Sequence, residues 1–404
     1  MNIKNVLIEF CTFSKYGEIM KRISISLIVV CLTLFSCSKK SNQIHIEVVN
    51  GITYIHNTEI PSNMNKTVVF KEELTITGRN EEDEIILFQP GIFRVDNKGN
   101  IFITDESDQS IKVFDRTGKY QRTIGTRGSG PGEFQIISDM FILPDGKLIV
   151  TDNQNMRTII FNRESEFINS YRWDNRHYYI YLASDTTYTI SENIRDEREH
   201  LFVKKYDYSG NVQFVYGEFK LANPTKFPVD NMIFYMYPPY SPRSIIVGDS
   251  KKDWLFHCIN DVYKIEVYDH NGELFRIIDR PYKPVQFTKK DADIYLSRFK
   301  KNNPRQKFAK QIVFPKKKTV TNRMIIDDLG NLWVETFEKM EKDDHTFTAY
   351  DIFNNDGVYE TRVWSSIRPG IFVNGKMYLL GTEEETGLKS LIRYHVQWKE
   401  NGNE

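Results

Sequence analysis

Two stretches of the chain match each other at a fixed offset. Asp96-Asn-Lys-Gly99-Asn-Ile-Phe-Ile-Thr-Asp105 and Leu143-Pro-Asp-Gly146-Lys-Leu-Ile-Val-Thr-Asp152 align with a shift of 47 residues, which also carries Phe114 onto Phe161 and Arg116 onto Arg163. A repeat of that length is one supersecondary unit that cannot bury its apolar face alone, so copies must stack. Each copy holds a turn, a short apolar run ending in Asp105 or Asp152, and a polar loop. A second run (Ile111–Phe114; Thr158–Phe161) and a third (Tyr120–Ile124; Phe167–Tyr171) follow. With the run before the first turn, that makes four short strands per unit.

The pattern continues with drift through 178–216, 244–278 and 323–364, and ends in 370–398, which is one strand short. Four antiparallel strands every 40 to 50 residues describe a propeller blade. Thr67–Ile76 precedes the first unit as a lone strand that supplies the missing edge if the ring closes on itself. The expected fold is therefore all-β: a six-bladed β-propeller over 67–400, closed by an N-terminal strand. Closure matters because it hides edges that would otherwise pair with other chains.

One stretch breaks the β rhythm. Thr288-Lys-Lys-Asp291 has the spacing of a capping box, and Ala292, Tyr295, Leu296 and Phe299 recur at helical spacing until Asn302-Asn303-Pro304. A short helical insertion is expected within 281–320. That segment carries 12 Lys/Arg against two Asp, including Lys289, Lys290, Arg298, Lys300, Lys301, Lys316, Lys317 and Lys318. The whole chain balances 54 basic with 54 acidic residues, which excludes a globally basic nucleic-acid binder. Hydrophobic content of 40% with 27 Phe and 22 Tyr excludes a disordered chain.

The N-terminus reads as an address. Met20-Lys21-Arg22 precedes an apolar run from Ile23 to Phe35, too short to span a bilayer, which takes about 20 helical residues. This predicts a signal peptide over 1–36, with Met20 as an alternative start. Leu34-Phe35-Ser36-Cys37 resembles the bacterial lipobox, so Cys37 is the expected lipidation site, followed by a lipid anchor and tether over 37–66. The residues just after Cys37 are basic rather than acidic, which favours the periplasmic side of the outer membrane over the cell surface.

Gly128-Ser-Gly130-Pro131-Gly132-Glu133-Phe134, followed by Asp152-Asn-Gln-Asn155-Met-Arg157, resembles the NHL-type repeat of six-bladed propellers. Asn260-Asp261-Val262-Tyr263 before the Gly272 turn is similar to a segment of six-bladed propeller lipoproteins of Gram-negative bacteria. The resemblance implies that Asp152 and Arg157 pair across a loop to tie blades together. The glycine run is no phosphate cradle, since it lacks the Gly-Lys-Ser/Thr and the following helix.

Asp105, Asp152, Asn155, Arg157, Asn260, Asp261 and Glu335 are the candidates for a polar ligand or calcium at the channel mouth, because hard cations take oxygen ligands. No other cofactor is expected. His257 and Cys258 are neighbours in a strand and point to opposite faces, so they form no dyad. No Gly-x-Ser-x-Gly elbow marks a serine nucleophile. The expected role is a non-catalytic binding module in the envelope. Its partners would be the membrane, through the lipid, and an envelope protein or small ligand, not nucleic acid. The alternative is a divalent-metal-dependent hydrolase or lyase with its site at the channel mouth.

Overall fold

The computed structural model describes residues 43–79, 84–173, 175–184, 186–193, 200–220, 225–229, 232–236, 239–302, 312–382 and 389–400. The chain divides into a unit of Met1–Gln43 and a unit of Ile44–Glu404. The expected signal peptide, Cys37 and the residues up to 42 lie outside the described residues, as do 303–311 of the insertion.

The second unit is a ring of six blades. Blade one is Pro90–Val95, Ile101–Asp105, Ser110–Phe114 and Tyr120–Ile124. Blade two is Ile137–Ile142, Leu148–Asp152, Arg157–Phe161 and Phe167–Arg172, at the spacing the repeat dictates. Blade three is Arg176–Ala183, Thr187–Asn193, His200–Asp207 and Val212–Lys220, and blade four is Ser244–Asp249, Trp254–Ile259, Lys264–Tyr268 and Leu274–Asp279. Blade five is Arg323–Ile326, Leu332–Lys342, His345–Phe353 and Tyr359–Ser365. Blade six takes Ile371–Val373, Lys376–Thr382 and Lys389–Glu400 from the C-terminus and Lys66–Ile76 from the N-terminus. The lone early strand thus closes the ring, in antiparallel register from Leu391 opposite Ile76 to Glu400 opposite Lys66.

The second and third strands of the first two blades are buried along their whole length, which is why the sequence shows unbroken apolar runs there. The core lies between blades. Phe102, Ile111 and Val113 of blade one pack on Met140, Leu148 and Val150 of blade two, and Trp333, Tyr350 and Val363 of blade five pack on Phe372 and Met377 of blade six. One carboxylate also ties three inner strands. Asp139, in blade two, accepts from Arg94 of blade one at 2.5 Å and from the Ile180 amide of blade three at 2.9 Å.

The tether expected over 37–66 needs correction. From His45 the chain is a hairpin, His45–Val49 against Ile52–His56, turning at Asn50-Gly51 with φ of 51° and 82°. Asn-Gly between alternating runs is a strong hairpin signal. It overrides the polar, linker-like impression of the surrounding residues. The hairpin adds to the outer strand of blade four in parallel, Thr53 opposite Arg276 and His56 opposite Asp279. Asn57 then reaches blade five: its side chain donates to the Gly357 carbonyl at 3.0 Å and accepts the Tyr359 amide at 2.7 Å. Residues 45–76 are therefore a strap over blades four, five and six.

His56 Nδ1 lies 2.9 Å from the Asp279 carboxylate. Burial alone would lower its pKa, but the Asp279 hydrogen bond and charge, helped by Glu47, raise it above the ordinary histidine value. A raised histidine stabilises the folded state below its unfolded pKa of about 6.5 and loses that contribution as pH climbs through the folded value. Amide exchange in Ile52–His56, corrected for intrinsic rates, should accelerate between about pH 6 and pH 8. Constant protection across that range would rule out this contact as a clamp.

Candidate functional site

An antiparallel blade places the end of its second strand, its second turn and the chain arriving from the previous blade on one face of the ring. The expected site residues fall there, one set per blade. Asp105 ends the second strand of blade one and accepts the Phe88 and Gln89 amides at 2.7 and 3.1 Å and the Ser107 hydroxyl at 2.6 Å. Burial pushes its carboxyl up, but the Ser107 hydroxyl and the backbone donors outweigh burial and hold it below its usual range. Asp152 repeats the arrangement in blade two with the Gln135 and Ile136 amides, both at 3.1 Å.

Equivalent positions continue around the ring. Asn260 follows the second strand of blade four, accepts the Arg243 amide at 2.8 Å and receives Val320 and Thr321 on its own carbonyl. Glu335 of blade five accepts Asn322 Nδ2 at 2.5 Å and Arg368 Nε at 3.0 Å. Sequence reasoning passed over the member in blade three, Glu192, which accepts Asn175 Nδ2 at 2.6 Å and pairs with Lys204 at 2.5 Å. The Asp-to-Glu change hid it from the repeat.

Each of these groups fastens the chain that enters its own blade. The structure does not gather them: among the described residues, no three His, Cys, Asp or Glu side chains form a group suited to a metal ion. Asp261 is exposed at the turn after Asn260. Asn155 and Arg157 hold the glycine loop instead, through Asn155 Nδ2 to the Gly128 carbonyl at 3.1 Å and Arg157 Nη2 to the Gly130 and Glu133 carbonyls at 2.9 Å. Arg157 Nε also lies 3.7 Å from Asp152.

The glycines of this loop serve two ends. Gly132 takes a φ of 75°, the left-handed conformation that glycine adopts freely, whereas Gly128 and Gly130 make room for the Glu133 carboxylate, which accepts the Gly130 amide at 2.7 Å. The Gly128 and Gly130 amides are taken by the Phe134 carbonyl and the Glu133 carboxylate. A Gly132→Ala substitution should destabilise the ring by about 1 kcal/mol or more, because any other residue is strained at a φ of 75°. Denaturant titration measures it, and an unchanged midpoint would contradict this account.

The insertion between blades four and five lies on the same face. Its helix runs Lys289–Asn302 and opens with the expected reciprocal cap: the Asp291 amide donates to Thr288 Oγ1 at 3.2 Å and the Thr288 amide to Asp291 Oδ2 at 2.9 Å. Below it, Phe287 stacks on Phe314 at 5.1 Å and meets Tyr240 at 5.5 Å, while Tyr240 also meets Phe337 of blade five at 5.0 Å. This aromatic seam fixes the insertion to the ring. Lys289, Lys290, Arg298, Lys300, Lys301, Lys316 and Lys317 are exposed, while Lys318 is drawn in and bound to Asp291 at 2.7 Å. No carboxylate among the described residues neutralises the exposed seven.

Among the described residues, clefts open between blades. One of about 370 Å³ lies on the opposite face between blades one and two and has mixed charge, with Asp96, Asp115, Arg122, Asp145 and Arg163 in its lining. Another, about 210 Å³, lies between blades two and three and is walled by Trp173, Tyr188 and Tyr206 beside Glu192 and Lys204. His257 and Cys258 do face opposite ways. Burial pushes the Cys258 thiol up to about 12, which makes it inert at neutral pH.

Comparison with known proteins agrees with the ring. Residues 82–351 match the family model DUF5128, described as a 6-bladed beta-propeller. The chain belongs to this family. No curated protein matches the sequence. Among solved structures, this DUF5128 chain is similar to a DUF4221-family member from Bacteroides vulgatus, at 10% identity and a TM-score of 0.52 over 84% of this chain and 100% of that one. It also resembles a presumed exported protein of Bacteroides fragilis (12% identity, 86% and 99% coverage, TM-score 0.49). Virginiamycin B lyase from Staphylococcus aureus follows (13% identity, 81% and 99% coverage, TM-score 0.41). At such identities the likeness concerns the fold alone.

Proposed function

We propose that the protein is an envelope-anchored, lipid-tethered binding propeller whose recognition surface is the basic insertion and whose ligand is anionic. The single observation that carries this reading is the set of seven exposed Lys and Arg side chains, unneutralised among the described residues, on a helix and loop that an aromatic seam packs against the ring. A solvated face needs neither the seam nor one sign of charge. Support for the tether is the run from Met20 to Cys37. The metal-dependent alternative loses support, because its candidate ligands sit in separate blades and bind backbone amides there.

The test is binding to vesicles of phosphatidylglycerol and of phosphatidylcholine. Each Lys or Arg near an anionic surface contributes about 1 kcal/mol, so replacing Lys300, Lys301, Lys316 and Lys317 with Glu should weaken binding to the anionic vesicles more than about 100-fold. Phosphatidylcholine vesicles should bind neither protein through the insertion. Equal binding of wild type and variant to anionic vesicles would refute the surface. Separately, Cys37→Ser should move the expressed protein from the detergent phase to the aqueous phase, and no shift would refute the lipid.

A further inference from the structure

Blade four contains a polar chain that the binding role does not use. Ser244 opens the innermost strand, His257 lies on the second and Glu266 on the third. Ile246 stands opposite His257, and His257 stands opposite Glu266, so strand alternation puts Ser244, His257 and Glu266 on one face of the sheet. That face meets blade three, where the Phe219 ring lies 4.4 Å from the imidazole. Ser244 Oγ is 3.0 Å from His257 Nε2, and His257 Nδ1 is 3.1 Å from Glu266 Oε2. Tyr268 donates to the same carboxylate oxygen at 3.1 Å, and Lys264 to the other at 3.3 Å.

The three side chains have the order and spacing of a nucleophile, a base and the group that orients the base. The imidazole is 6% exposed, while the serine at the strand end is partly open to solvent. Its hydrogen bond to His257 lowers the Glu266 carboxyl to about 2, so it stays anionic, and in the neutral imidazole it holds the proton on Nδ1. Nε2 is then left to accept the serine proton.

The backbone supplies one further part. Asn260 donates its amide to the Arg243 carbonyl, which makes these two the hydrogen-bonded pair of the ladder. Ser244, the next residue, therefore falls at a non-hydrogen-bonded position, and its N–H points away from the second strand toward the open inner edge. A donor there can meet an oxyanion formed at Ser244.

We propose that Ser244, His257 and Glu266 form a serine esterase site, a function separate from the anionic surface on the insertion. Ser244 Oγ attacks the carbonyl carbon of a carboxylic ester while His257 Nε2 takes its proton. The tetrahedral intermediate collapses, the alkoxide leaves with that proton, and an acyl-serine remains. Water, deprotonated by His257, then attacks the acyl-serine to release the acid and restore the serine. A single N–H rather than two suits esters with good leaving groups over amides.

The experiment treats the full chain with a fluorophosphonate probe and with p-nitrophenyl acetate, beside Ser244→Ala, His257→Gln and Glu266→Gln. The expected result is phosphonylation of Ser244, located by peptide mass spectrometry and lost in Ser244→Ala. Acetate hydrolysis should fall by at least about 100-fold in Ser244→Ala and His257→Gln. Ser244→Ala removes one partly exposed oxygen, so its circular dichroism should match wild type, and it decides the matter even if His257→Gln fails to fold. Wild-type protein that is folded and unlabelled overturns the proposal, as does labelling that survives Ser244→Ala. Neither result bears on vesicle binding.

Discussion

A chain that begins at Thr77 should fail to unfold cooperatively and should aggregate, whereas one that begins at Asn65 should still fold. The difference is Lys66–Ile76. This strand pairs with Leu391–Glu400 and brings Val68, Phe70, Leu74 and Ile76 to the cores of blades six and one. Phe70 alone meets the rings of Trp333, Phe372 and Tyr394 within 6.5 Å. Fully burying such a side chain contributes about 1.5–3 kcal/mol; Ile76 is buried and the other three are half-buried, so together they are a large fraction of the total stability of about 5–15 kcal/mol that folded domains have. The naked edge left behind also invites pairing with other chains. Thermal unfolding and light scattering of the two truncations would decide; a sharp transition in the shorter chain would show that closure is dispensable.

The second large effect is expected at Asp351. This residue is 0% exposed on the third strand of blade five and accepts four donors. They are Tyr263 at 2.7 Å, Arg280 and Arg362 at 2.8 Å and Tyr359 at 2.9 Å. The Arg280 guanidinium also lies over the Tyr359 ring at 4.3 Å and receives no other carboxylate among the described residues. Asp351→Ala leaves Arg280 buried without its counter-charge, and losing one partner of such a pair costs about 3–5 kcal/mol. Exposed Asp261→Ala, by contrast, should stay within about 0.5 kcal/mol. Equilibrium unfolding in urea measures both; comparable midpoints would mean that blades four and five do not depend on this network.

The network also shows why some of the molecule was legible in the sequence and some was not. Strand runs such as Ile101–Asp105 and Leu148–Asp152 repeat because every blade buries the same positions, and burial leaves a linear trace. The capping box at Thr288 and Asp291 was readable for the same reason, its partners being three residues apart. Asp351 and Arg280 are 71 residues apart and meet only because two blades are neighbours in the ring. Nothing in the pattern of either segment requires that meeting.

The candidate site divides along the same line. The resemblance implies that Asp152 and Arg157 pair across a loop to tie blades together; in the fold Arg157 holds the Gly130 and Glu133 carbonyls, Asp152 holds the Gln135 and Ile136 amides, and the two lie 3.7 Å apart. Asp105, Asn260 and Glu335 are grouped at one channel mouth because their side chains offer oxygen ligands, but ring geometry assigns one to each blade. The notion that His257 does not act with Cys258 follows from strand alternation alone. That His257 lies between Ser244 and Glu266 needed the register, since offsets of 13 and 9 residues correspond to no motif.

By itself, then, the sequence determined the repeating strand unit, the closing strand and the capped basic helix, because each depends on spacing along the chain. The tertiary structure alone decided which side chains meet across strands and blades: the docking of 45–57 on blades four and five, the ties at Asp139 and Asp351, and the serine, histidine and glutamate of blade four. Contacts of that kind depend on sheet register and ring closure, which place residues together according to where strands pair in space and leave no period in the text.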